Sequence, residues 1–235
     1  MLKCLQMKWN LIYLEETTST NDVATQLPLF SCVVAKKQTK GRGRCSRLWV
    51  SEEGNLFFSV VLKNYAEHSY FLSFIASLSV VESLENVSAY LKWPNDVLVD
   101  GKKVAGILLE NCDDKIVVGV GINTAIKPNG SFLYPVGCLE NKIENEDLLK
   151  RFLSNLKNNI LLFEEKGFLP IREKWLRFAK GIGQSIKVNL PNESVEGVFI
   201  ELTEGGAIRL KRDDGSCQLI VAGDVFLLDE GKRND

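Results

Sequence analysis

Between Lys36 and Trp49 the chain carries six cationic side chains, Lys36, Lys37, Lys40, Arg42, Arg44 and Arg47, and no acidic one. Gly41 and Gly43 alternate with the arginines, so the backbone can come close to whatever the guanidinium groups hold. Backbone N–H groups and guanidinium forks together suit an anionic ligand. A solvated basic loop, or a contact to nucleic acid, would have the same composition. The string is not a G-x-x-x-x-G-K-[ST] phosphate loop, and no helix opens behind the glycines as a dinucleotide fingerprint requires.

Three further strings carry chemistry. In Lys92-Trp93-Pro94-Asn95-Asp96 a lysine at a strand end is stiffened by its neighbours. That suits a point charge held against a phosphate or carboxylate, and equally a surface lysine before a turn. In Gly119-Val120-Gly121-Ile122-Asn123 the glycines interrupt an apolar strand, which marks either a ligand in close approach or a bend. Ser19-Thr20-Asn21 has the composition of a helix N-cap. A cap and a binding site are compatible, because a helix N-terminus presents free N–H groups.

These strings need elements to hold them. Residues 11–14 read as a short strand, followed by a helical stretch to about Leu27, stopped before Pro28. Residues 31–35 form a second strand. Residues 36–54, poor in apolar side chains, read as a long loop of the kind that is functional or disordered. Its self-repelling cations predict a segment that is mobile alone and ordered by a ligand. Residues 56–62 are a near-continuous apolar run, a buried strand, and residues 69–84 have the spacing of a buried helix. Strands at about 89–93, 97–99 and 104–110 follow, with a hairpin turn at Asp100-Gly101, and then a strand at 115–121. Residues 125–140 form a second loop, to which no role is assigned. Apolar side chains at three- and four-residue steps make 146–166 an amphipathic helix. Another helix begins near Pro170 and ends near Gly181. From Ser185 onward five short strands alternate with turn residues, the pattern of a separate small β-barrel. The expected domains are therefore residues 1–182 and 183–235.

The 235 residues, 45% of them hydrophobic, suffice for one substantial core with a small appendage. Lys and Arg number 29 against 30 Asp and Glu, which argues against a global grip on DNA or an anionic membrane. No apolar run approaches the roughly 20 residues that span a bilayer. Residues 1–10 lack the features of a signal peptide, so a cytoplasmic location is expected. Six scattered cysteines without a C-x-x-C pair read as free thiols, and a single histidine, His68, makes a zinc site improbable. No G-x-S-x-G elbow exists for His68 to serve.

Taken in order, the strings resemble the biotin protein ligase family. That family's pattern runs through S-T-N (Ser19 to Asn21), a Gln ahead of G-R-G-R with a following Arg and Trp (Gln38, Gly41 to Arg44, Arg47, Trp49) and K-W-P-N-D (Lys92 to Asp96). It continues with K-x-x-G-I-L-x-E (Lys103, Gly106 to Leu108, Glu110) and G-x-G-I-N (Gly119 to Asn123). The resemblance covers residues 12–123 strongly and the C-terminal strands more loosely. Two departures stand out: Ser46 where the family often has glycine, and Gly137-Cys138-Leu139 where an Ala-Thr-Ser-like stretch is common.

The resemblance implies an α+β fold: a class II aminoacyl-tRNA-synthetase/biotin ligase-like catalytic domain with a mixed β-sheet and packed helices, plus a small Src-homology-3-like C-terminal β-barrel. It implies a ligase that makes biotinyl-5'-AMP from biotin and ATP, with magnesium expected, and transfers biotin to a lysine of a biotin carboxyl carrier protein. Lys92 and Arg44 are the expected catalytic residues. Ser19, Thr20, Asn21, Gln38, Gly41, Arg42, Gly43, Arg44, Lys92, Gly119 and Gly121 would bind biotin. Arg42, Arg44, Arg47, Trp49, Lys92 and Asn123 would hold ATP and the adenylate. A homodimer is compatible with the resemblance. With S-T-N starting at Ser19, no N-terminal DNA-binding module, and hence no repressor function, is expected. The rivals are a lipoate-type ligase on the same fold, whose triple-glycine string is absent here, and a basic-loop nucleic-acid binder, against which the balanced charge stands. A biotin carrier, from Met7-Lys8, is a third.

Overall fold

The computed structural model describes residues 7–140 and 143–228. Most of the signal-peptide reading of residues 1–10, together with Cys4 and residues 229–235, lies outside them.

A seven-stranded sheet forms the main body, in the order β1-β2-β3-β7-β6-β5-β4. Strands β1 (Asn10–Thr17) and β2 (Ser31–Gln38) are parallel, with the five-residue helix α1 (Thr20–Ala24) between them. The other pairings, among β3 (Leu56–Lys63), β4 (Ala89–Lys92), β5 (Asp96–Val99), β6 (Lys102–Cys112) and β7 (Lys115–Ile122), are antiparallel. β2 runs on to Gln38, beyond its expected end, because Lys37 and Gln38 pair with Glu16 and Thr17 of β1. The basic loop therefore starts later than the composition indicated.

Alternation along β3 and β7 sorts side chains between two faces. Phe58, Val60, Val118 and Val120 join the main core beneath helices α2 (Phe71–Ser83) and α3 (Asn145–Lys166). Val61 and Val117 pack with Ala24 of α1 on the opposite face. Helix α2 is buried nearly all round, which its unbroken apolar and serine sequence permits. Helix α3 is amphipathic, with Glu146 and Asp147 in its first turn and Lys166 in its last, as the helix dipole favours.

Helix α4 (Leu169–Leu176) ends short of Gly181. Residues beyond it leave the helix to pair with β4: Leu91 donates its N–H to Phe178 O and accepts from Lys180 N, both at 2.8 Å. The C-terminal strands β8 (Ser185–Asn189), β9 (Ser194–Leu202), β10 (Ile208–Lys211), β11 (Cys217–Ile220) and β12 (Asp224–Leu227) form an antiparallel sheet in the order β11-β10-β9-β8-β12. Its Ile186, Phe199, Ile208 and Val225 merge with the main core, so the small sheet is docked rather than tethered. Among the described residues, no helix is long and apolar enough to cross a membrane.

Candidate active site

On the α1 face of the large sheet lies a cavity of about 530 Å³, a size typical of small-ligand sites. Glycines make room for it. Gly106 and Gly121 are cross-strand partners on β6 and β7, and both face the Trp49 indole. A Cβ at Gly106 would meet that ring at 2.9 Å, and one at Gly121 would overlap it. Gly119 faces the Asn21 carboxamide in the same way. Gly41 does not line the cavity; its Cβ direction is filled by the Trp49 carbonyl at 2.6 Å, so its small size lets the basic loop fold on itself.

Two buried ammonium groups meet at one carboxylate here. Lys92, the last residue of β4, lies opposite Asp96, the first of β5, across the Trp93–Asn95 turn. Its Nζ is 3.1 Å from Asp96 Oδ2, and Lys103 Nζ is 2.5 Å from Oδ1; all three side chains are about 90% buried. Lys103 reaches this face through a bulge. The β5–β6 register shifts between Val97 and Leu98, so Val104 turns into the core and Lys103 toward the cavity. Burial alone would raise the Asp96 carboxyl, but the neighbouring Lys103 and Lys92 charges outweigh it and hold it below its ordinary value. Burial likewise works against the Lys103 ammonium, yet Asp96 and Tyr134 keep it above its usual range.

Tyr134 belongs to the 125–140 loop, to which the sequence assigned nothing. Its ring centroid is 4.3 Å from Lys92 Nζ and 5.1 Å from Lys103 Nζ, and its hydroxyl accepts from Lys103 at 3.2 Å. The loop is pinned there because Lys103 N–H donates to Pro135 O and Gly137 N–H to Lys103 O. Asn123 adds a bond from Nδ2 to Gly137 O.

At the α1 end, Ser19 caps the helix by accepting from Asn21 N–H at 3.3 Å. Thr20 N–H and Oγ1 both donate to Gln38 Oε1, at 2.8 and 3.1 Å, and Gln38 Nε2 donates to Ser51. Ser59 of β3 sits beneath, within 2.7 Å of Thr20 Oγ1 and 2.5 Å of Asn21 Oδ1.

The basic loop is not the self-repelling segment that its composition predicted. Lys36 and Lys37 pair with Glu15 and Glu16 of β1. Arg42 is bound by Asp22 at 2.7 Å and by Glu110 at 3.1 Å while it lines the cavity. The loop closes as a small hairpin, with Trp49 N–H donating to Gly41 O and Gly43 N–H to Arg47 O. At its tip Ser46 has φ +56°, the left-handed region where glycine is at ease. Acids distant in sequence supply the neutralising charge that the loop lacks.

The small sheet reaches the same cavity. Arg47 pairs with Asp224 at 2.8 Å, Arg44 donates to Gly223 O and to Asn95 Oδ1, and Lys92 donates to Val225 O. Trp93 Nε1 donates to Gly206 O.

All the expected site residues except Gly41 line this one cavity. Lys103, Asp96, Tyr134 and Asp224 line it too, although sequence reasoning gave them no role; Lys103 and Asp96 had been quoted only as parts of motifs. His68 lies elsewhere, stacked on Phe71, and the five described cysteines are free.

The chain matches the Biotin/lipoate A/B protein ligase family over residues 12–125 and the Biotin protein ligase C terminal domain over residues 181–228. It is 32% identical to the biotin–[acetyl-CoA-carboxylase] ligase of Paracoccus denitrificans, covering 91% of this chain and 98% of that one. It is 30% identical to the bifunctional ligase/repressor BirA of Bacillus subtilis, over 96% of this chain and 76% of the relative. Its structure is similar to the Aquifex aeolicus biotin protein ligase in complex with biotin and ATP, with a TM-score of 0.84 and 32% identity over 93% of this chain and 98% of that one. Both halves of the fold, the mixed sheet with its helices and the antiparallel C-terminal sheet, are thus those of biotin protein ligases, and this chain belongs to the biotin protein ligase family.

Proposed function

We propose that the chain condenses biotin with ATP to biotinyl-5'-AMP in this cavity and then passes the biotinyl group to a lysine of a biotin carboxyl carrier protein. The observation that carries this reading is the charge at Asp96. Two largely buried ammoniums against one carboxylate leave one positive charge uncompensated at the cavity wall, and an anion is what stabilises such a charge.

The first step joins two anions. A carboxylate oxygen of biotin attacks the α-phosphorus of ATP, the bond to the β-phosphate oxygen breaks, and pyrophosphate leaves. Lys92 and Lys103 would hold the attacking carboxylate and the α-phosphate together, and Arg44 and Arg47 would face the leaving phosphates. In the second step the carrier amine attacks the acyl carbon, AMP leaves, and the nitrogen gives up a proton. Trp49, whose ring rests on the Gly106–Gly121 floor, would pack beside the ligand. Among the described residues Asn123 Oδ1 and Trp49 Nε1 are buried without a partner, which fits polar edges that a ligand supplies.

Ser19, Thr20, Asn21 and Gln38 would meet the ureido end. The ring contacts on both lysines make Tyr134 part of the same cradle. Magnesium would arrive with the triphosphate: among the described residues no cluster of three or more acidic, His or Cys side chains offers it a cage of its own, and Mg²⁺ commonly relies on substrate phosphates. We place the division between catalytic and C-terminal domains at residues 182 and 183.

ATP–pyrophosphate exchange dependent on biotin, followed by label transfer to a carrier domain, tests the proposal. Exchange that requires lipoate instead, or none with either acid, would refute it.

A further inference from the structure

Glu110 lies on β6 behind the cavity wall and does not line it. Both of its oxygens are engaged. Oε2 accepts from Asn21 Nδ2 at 2.7 Å and from Arg42 Nη2 at 3.1 Å, and Oε1 accepts from Arg42 Nε at 3.2 Å and Nη2 at 3.1 Å. An ionised carboxylate only accepts. Asn21 must therefore give its NH₂ to Glu110 and turn its oxygen the other way, toward Ser59 Oγ at 2.5 Å and the bare face of Gly119. Asn21 and Gly119 both line the cavity. With one lone pair taken by Ser59, the Asn21 oxygen keeps the other for a donor on a ligand. From the opposite side the Thr20 N–H, which only donates, fixes the Gln38 oxygen against Thr20.

We propose that Glu110 is a positioning residue that sets the donor–acceptor polarity of the α1 end of the cavity, and so selects an acid that brings N–H donors there, as a cyclic urea does and a dithiolane does not. The role rests on the biotin reading of the cavity given above. A glutamine at 110 has one oxygen: at the Oε2 position it would meet Asn21 and Arg42 Nη2, but its NH₂ would then face Arg42 Nε and Nη2, donors that cannot invert. Arg42, permanently charged and held by Asp22 as well, takes the amide oxygen. The amide NH₂ then faces Asn21, whose carboxamide inverts and presents a donor where an acceptor stood.

The test is ATP–pyrophosphate exchange with wild type and E110Q, using biotin and desthiobiotin, which keeps the cyclic urea and lacks the sulfur ring. In E110Q the KM for both acids should rise by the same factor, about 10-fold, the worth of one charge-fixed hydrogen bond. The kcat at saturation and the KM for ATP should stay within about 2-fold, since the lysine end is untouched. General loosening would change the two acids unequally and lower kcat as well. Unchanged KM values in an active, folded E110Q, or a fall in kcat alone, overturn the role while leaving the biotin reading intact. A wild-type chain inactive with both acids overturns the reading itself, and the role with it. If E110Q does not fold, E110D takes its place: its shorter carboxylate cannot reach both donors, and the same paired rise in KM is expected, an unchanged KM again overturning the role.

Discussion

Replacing Asp96 by asparagine keeps the shape of the lysine pair's anchor and removes its charge. At an effective dielectric of 20, the attraction lost is about 5 kcal/mol for Lys92 at 3.1 Å and about 7 kcal/mol for Lys103 at 2.5 Å. Desolvation already offsets most of both, and breaking such buried pairs leaves a net loss of about 3–5 kcal/mol. A ceiling of similar size exists, because one lysine can shed its proton, which at pH 7 costs about 4–5 kcal/mol. For a chain of this size the melting temperature of D96N should fall by about 6–20 °C. The dependence on pH should change too. In the wild type the Asp96 carboxyl is held below the ordinary carboxylate range by the Lys103 and Lys92 charges. Its contribution is therefore complete at neutral pH and is lost only as the pH falls through the depressed value. In D96N burial, no longer outweighed by the Asp96 charge, draws the Lys103 ammonium below its unfolded value; the unfolded state then binds more protons, and stability should rise between pH 7 and 10. Biotin, whose carboxylate supplies the missing charge, should raise the Tm of the variant more than that of the wild type. Scanning calorimetry at three pH values, with and without biotin, reads all of this. A Tm within about 2 °C of wild type and flat with pH would refute the charge argument.

Three further substitutions separate the parts of the site. K92A and K103A should each lower the exchange rate by about 100- to 1,000-fold, the scale of losing one charge partner of a transition state; a K103A enzyme with near wild-type exchange would remove Lys103 from the chemistry. G121A should push the Trp49 indole off its floor, raise the KM for biotin by more than about 10-fold and red-shift the tryptophan emission; unchanged emission and KM would mean that the ring does not occupy the ligand floor in solution.

The family and the order of the elements were legible in the sequence, because each motif is local: Lys92 and Asp96 face each other across a turn, and the glycines of β7 recur at the strand period. Lys103 was not legible as a site residue. Strict alternation with Gly106 places it on the core side, and only the bulge at Val104 brings it round. The pairing of Arg42 with Asp22 and Glu110 was hidden for another reason: charge balance over a long loop depends on acids 20 and 68 residues away. Tyr134 lay in a segment with no period at all, held by backbone bonds to Lys103 that no composition announces.

The docking of the small sheet has a consequence for divergence. Lys92, Arg44 and Trp93 each donate to a main-chain oxygen, those of Val225, Gly223 and Gly206. A carbonyl is the same whatever side chain stands beside it. Selection on this contact would therefore act on the course of the turns at 206 and 223–225, which keeps glycine at 206, where φ is +74°, and at 223, where a Cβ would meet Val188 at 2.6 Å, and keeps Asp224 for Arg47. Elsewhere the C-terminal module is free to drift in sequence while its grip on Lys92 persists. Modules exchanged between distant relatives should work wherever these two turns superpose, however few other residues they share.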